Sequence, residues 1–178
     1  MSLYNTPIFK LQTMMQNQEI SSFEITSYFI ERIRTIDNNY HAVYMINPDA
    51  LSIAETLDKE RENGHVRSFM HGIPVLIKDN INTKDQQTTT AGTNILKDHI
   101  ALKDAALVKT LREQGAIILG KTNLTELACY KTFTRSNGFS SLGGQVLFPY
   151  DIHEDPSGSS TGSAVATALR LSPVAIGT

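Results

Sequence analysis

Between Thr6 and about Asn63 apolar residues recur at helical spacing among polar ones, the pattern of helices that bury one stripe and leave the rest in water. Ser21-Ser22-Phe23-Glu24 has the Ser-x-x-Glu spacing of a capping box, and Phe23, Thr26, Phe29, Ile30 and Ile33 follow at helical intervals. A helix is therefore predicted to run from there to about Asp37. Ala42-Val43-Tyr44-Met45-Ile46 reads as a short strand, and Pro48 opens a further helical stretch, about Asp49 to Asn63. These helices are expected to cover a sheet.

The pattern changes at Ile73-Pro74-Val75-Leu76-Ile77, a continuously apolar run with Gly72 before it and a polar turn after it. Such a run fits a strand buried on both faces, with Lys78 at its C-terminal end. Asp104 is expected to open a helix with Leu107, Val108 and Leu111 on one face, ending near Gly115. Ala116-Ile117-Ile118-Leu119 follows as a second buried strand. Strand, crossover helix and strand pack comfortably only as a right-handed parallel unit, so the sheet is expected to be largely parallel. In Thr122-Asn123-Leu124-Thr125-Glu126, Asn123 and Glu126 read as a cap and a first-turn acid. Residues 131 to 156 form a long irregular excursion. Ser157-Gly158-Ser159-Ser160-Thr161-Gly162-Ser163 is a loop that feeds a small apolar helix through Leu169, and Val174-Ala175-Ile176-Gly177 reads as the start of a buried strand.

A chain of 178 residues is long enough for one domain with a sizeable core. The reading is a single α/β domain, with 1–66 mainly helical and 67–178 carrying the sheet and the polar motifs. No apolar run approaches the roughly 20 residues that cross a bilayer, and the opening residues lack the basic-then-apolar order of a secretory signal, so a cytoplasmic protein is expected. The net charge of −2 offers no polycationic surface, which argues against bulk binding of nucleic acid. The single cysteine, Cys129, has no partner for an internal disulfide and is read as a small buried packing position. His153-Glu154-Asp155 is read as a solvated turn, because three adjacent residues in an extended loop do not converge on one ion. No metal or other cofactor is expected.

Two stretches carry candidate chemistry. A glycine- and serine-rich loop entering a helix presents free backbone N–H groups and the positive end of the helix dipole, which suits an anion or a developing negative charge. The loop lacks the Gly-Lys-Ser/Thr ending of a P-loop, which weakens a phosphate-binding reading. Lys78 sits where ligands bind in open α/β sheets, beyond the carboxyl end of a strand. An ordinary lysine, with a pKa of about 10.4, is protonated at neutral pH, so Lys78 can serve as a base only if burial strips it of water. Ser160 and Ser163 are read as caps of the following helix.

Taken together and in order, Gly72 to Asp79, Thr89-Thr90-Ala91-Gly92, Gly115 to Asn123 with Glu126 and Ala128, and Gly158-Ser159-Ser160 with Gly162-Ser163-Ala164 resemble the amidase signature family of serine amidohydrolases. The resemblance runs from about Asp37 to Thr178. It implies an α/β fold with a largely parallel or mixed sheet covered by helices, no cofactor, a small amide as substrate, and a Ser-cisSer-Lys triad. In that triad Lys78 matches the lysine and Ser159 the bridging serine, held by a cis Gly158–Ser159 peptide. The family's nucleophile belongs to a later Asp-x-Gly-Gly-Ser motif that these residues do not contain. Ser157, Thr161 and Phe148-Pro149-Tyr150 also depart from the family's pattern. The expectations are therefore the front part of an amidase, little activity alone, and an unpaired strand edge near the C-terminus through which copies self-associate. The alternatives are a non-catalytic remnant, a binding module, or a piece of the amidotransferase polypeptide that belongs to the same family.

Overall fold

The sheet that carries the site has four strands, β1 (Val43–Ile46), β2 (Pro74–Lys78), β3 (Ile117–Thr122) and β6 (Val174–Ile176), in the order β1-β3-β2-β6. The computed structural model describes residues 3–130 and 136–178. β2 runs parallel to both β3 and β6, whereas β1 pairs antiparallel to β3, so the sheet is mixed with a parallel centre. β2 and β3 are buried along their whole length because both faces are covered. Ile73, Leu76, Ile117 and Leu119 join the larger core on one side. Val75, Ile77 and Ile118 pack on the other side with Val108 of α4 (Ala106–Glu113). This two-sided burial is the physical reason for uninterrupted apolar runs in place of alternation.

Three helices precede or flank β1: α1 (Ile8–Gln16), α2 (Ser22–Ile36) and α3 (Ala50–Glu62). The capping box at Ser21 and Glu24 forms as predicted. α3 adds to it: Asp58 accepts the backbone N–H groups of Ser22 (2.7 Å) and Phe23 (2.9 Å), taking up donors that the first turn cannot satisfy itself. α2 buries Ile25, Thr26, Phe29, Ile30 and Ile33, while Phe23 lies at the margin of the core. Asp37, at the end of α2, steers the chain into β1 by accepting N–H groups from Ala42 (2.9 Å) and Val43 (2.8 Å).

α4 starts two residues later than the sequence suggests, because the Asp104 carboxylate is occupied by Lys84 N–H at 2.6 Å and Arg112 Nε at 3.2 Å. Its buried face is Val108 with Leu111 at the edge, and Leu107 is turned outward. A hairpin of β4 (Phe139–Ser140) and β5 (Gly144–Gln145) lies within the long excursion before α5 (Thr161–Ala168). β6 pairs with β2 alone among the described strands and is half-buried, where full burial was expected. Among the described residues no helix is long and apolar enough to cross a membrane.

Candidate active site

Lys78 ends β2, and the strand is so well covered that its side chain is completely buried. Its amine lies 2.8 Å from Ser159 Oγ, 3.0 Å from Ser160 Oγ and 2.8 Å from Thr178 Oγ1. These contacts place hydroxyls around a nitrogen that has lost its water. Burial pushes the Lys78 pKa below the ordinary lysine range, opposed by the nearby Cys129. The amine thus has partners that accept its N–H bonds when charged and can donate to its lone pair when neutral. Both sequence-predicted site residues, Lys78 and Ser159, come together although 81 positions apart.

The serine loop reaches Lys78 because several backbone groups hold it. The Gly158–Ser159 peptide is cis, and the Ser159 carbonyl accepts the Thr125 N–H at 3.0 Å. Ser159 is half-buried, so its hydroxyl touches Lys78 on the inside while the loop is open to the outside. Gly162, in the first turn of α5, passes so close to the end of β3 that a Cβ there would lie 2.3 Å from the Asn123 carbonyl oxygen. The Gly-x-x-x-Gly spacing from Gly158 to Gly162 therefore serves close approach as much as loop freedom.

Several polar residues do other work than the sequence suggested. Ser160 occupies the N-cap position of α5 without capping it. Its hydroxyl instead contacts Lys78, accepts the Thr178 N–H at 3.1 Å and donates to the Thr178 carbonyl at 3.0 Å. Ser163 lies inside the helix, where it bonds Thr122 Oγ1 at 2.7 Å and donates to the Ile176 carbonyl at 2.9 Å, tying α5 to β3 and β6. Asn123 does not cap: its amide donates to the carbonyls of His41 and Gly143, each at 3.0 Å, and its Oδ1 accepts from Ser140 Oγ. Glu126 is the first-turn acid of a short helix, Glu126–Cys129, as expected, and its buried carboxylate also accepts the N–H and hydroxyl of Ser141. Cys129 is exposed, not buried, because Leu127, Ala128 and Cys129 all take left-handed backbone and turn the chain outward. Thr178 and Asn80, whose amide donates to Thr178 Oγ1 at 3.2 Å, belong to the site and were not foreseen. A threonine two residues past an apolar run carries no signal by itself. Among the described residues no group of His, Cys, Asp and Glu could hold a metal ion.

The carboxyl end of β2 thus gathers a buried amine and the hydroxyls of Ser159, Ser160 and Thr178 at one point of the sheet. The chain belongs to the amidase family, whose model matches residues 24–178. A putative amidase of Schizosaccharomyces pombe is 39% identical over 99% of this chain and 30% of its own length. A polypeptide of the glutamyl-tRNA(Gln) amidotransferase of Clostridium acetobutylicum is 34% identical over 100% of the chain and 36% of its own. The crystal structure of the native peptide amidase from Stenotrophomonas maltophilia superposes with a TM-score of 0.94 at 42% identity, over 97% of this chain and 36% of that one. The chain thus spans about a third of the length of these relatives.

Proposed function

We propose that the chain provides the proton-relay part of an enzyme that hydrolyses the carbon–nitrogen bond of small linear amides, peptide amides included. Lys78 is the base and Ser159 the bridging hydroxyl. The observation that carries this reading is the 2.8 Å contact of a fully buried Lys78 with Ser159 Oγ. Neutral Lys78 takes the Ser159 proton as Ser159 takes one from a nucleophilic hydroxyl, which attacks the amide carbonyl carbon. The C–N bond breaks as the relay returns a proton to the departing amine or ammonia, and water then hydrolyses the acyl ester. The likeness to a peptide amidase supports the substrate class.

The Asp-x-Gly-Gly-Ser motif that carries the family's nucleophile does not occur among these residues, so the 178-residue chain assayed alone is proposed to turn over little or no amide. The open edge of β6 is proposed as a surface through which copies associate. A chimaera tests the main reading: these residues replace the matching third of the Stenotrophomonas peptide amidase. It is expected to hydrolyse peptide amides, and Lys78→Ala or Ser159→Ala is expected to lower kcat by about 10²-fold or more. A folded, active chimaera indifferent to both substitutions would sink the assignment.

A further inference from the structure

The relay leaves unused a second lysine that is completely buried, Lys121 on β3. It stands beside Ile77 in the β2–β3 register, one step before the Lys78–Thr122 pair. Its ammonium donates to the Ile81 carbonyl at 3.0 Å and to Thr89 Oγ1 at 2.8 Å, and lies 3.9 Å from Asp79 Oδ1. All three partners lie in the chain that leaves Lys78. Ile81 N–H donates to the Lys78 carbonyl at 2.9 Å, closing the turn directly after the strand. The Asp79 carboxylate accepts the N–H of Thr90 at 3.2 Å and its hydroxyl, while the Asp79 carbonyl accepts Ala91 N–H at 2.9 Å. The Ala91 carbonyl in turn accepts Leu127 N–H at 2.9 Å, at the start of the left-handed run that ends at Cys129.

An ion pair taken out of water is weak evidence for stability, since apolar residues of similar volume often serve as well. Here the apolar neighbours Ile118 and Leu119 show that the strand accommodates such residues. What an apolar side chain lacks is the set of donors that reaches both the turn and the threonine loop.

We propose that Lys121 is a positioning residue for the Lys78–Ser159 contact: it clamps the turn after Lys78 and the loop 89–92, so that the Lys78 amine stays out of water. This rests on the reading of Lys78 as the base. Among the described residues, the titratable group that acts on the Lys78 amine is Cys129, beside the hydroxyls of Ser159, Ser160 and Thr178. Lys121 faces Asp79, with Asp85, Arg112 and Asp104 further off, and burial brings its own pKa down to about 8 against the pull of Asp79.

The test uses the 178-residue chain labelled with ¹³Cε-lysine, the Lys78 signal being assigned by its loss in Lys78→Arg and followed by NMR against pH. The wild-type midpoint is expected below the ordinary lysine range. In Lys121→Met, water reaches the amine and the midpoint rises by about one pH unit, a tenfold gain in proton affinity. Val108→Ala, which weakens the core under α4 without touching the clamp, leaves the midpoint in place and separates positioning from general destabilisation. A folded Lys121→Met chain with an unmoved Lys78 midpoint overturns the proposal. If that variant does not fold, Thr89→Val removes the loop acceptor of the clamp and is expected to move the midpoint upward by a smaller step; no movement there overturns it equally. An ordinary lysine midpoint in the wild type would sink the base assignment itself, and the present proposal with it. A depressed wild-type midpoint that ignores the clamp sinks only the present one.

Discussion

Asp37 illustrates how one buried carboxylate trades pH tolerance for geometry. It takes two N–H groups at the entrance of β1, yet burial raises its pKa from 3.8 to about 6, with those hydrogen bonds opposing the rise. Between these values the folded chain holds a proton that the unfolded chain has lost. The contribution of Asp37 is therefore full below pH 3.8 and is lost as pH rises through about 6. Asp37→Asn has no such titration. Its stability relative to wild type, from urea unfolding at pH 4 and pH 7, should improve with pH by up to about 3 kcal/mol. A gap independent of pH would show that Asp37 ionises normally. Residue-scale chemistry was partly legible: Lys78 and Ser159 stood out by motif, but Asp37 and Lys121 did not. A single acid or lysine in a sequence does not announce that it will be buried.

At the scale of elements, the helix boundaries followed local chemistry wherever the cap lay within the element. The Ser21–Glu24 capping box was readable for that reason, and Ser21→Ala should cost about 1 kcal/mol in urea unfolding. The loss should stay moderate because Asp58 continues to hold the N–H groups of Ser22 and Phe23. Where partners come from distant segments, local reading failed. Ser160, Ser163 and Asn123 all have side chains suited to capping, but each bonds a segment remote in sequence, which spacing cannot reveal. The approach of α5 to β3 is the sharpest consequence. A methyl group at Gly162 would meet the backbone carbonyls of Asn123 and Ala42, which cannot swing aside as a side chain would. Gly162→Ala should therefore cost about 3 kcal/mol, at the upper end for overpacking. It should also separate Ser163 from Thr122, and a loss below about 1 kcal/mol would mean that α5 stands off from the sheet.

For the molecule as a whole, the α/β layering was legible because two-sided burial writes continuous apolar runs into β2 and β3, and helical periodicity marks the covering layer. The antiparallel β1 was not, since a short apolar run does not record the direction of its partner. β1 matters most for how the chain holds together: it fastens the helical N-terminal segment to the sheet. One core runs from Leu3 through Phe29 of α2 and Leu57 of α3 to Val165 and Leu171 beyond the serine loop. The described residues of the segment 1–66 consequently share their apolar core with Leu76 and Leu119 of the sheet. Removing it would bare Leu76 and Leu119 on that face of β2 and β3. Such mutual dependence predicts one cooperative unit. In native-state hydrogen exchange, amides of Phe29, Ile30 and Ile33 should open with the same free energy and the same denaturant dependence as those of Val75 and Ile118. Exchange of α2 through a separate, lower-energy opening would instead show that the helical segment unfolds while the sheet and the Lys78 site persist.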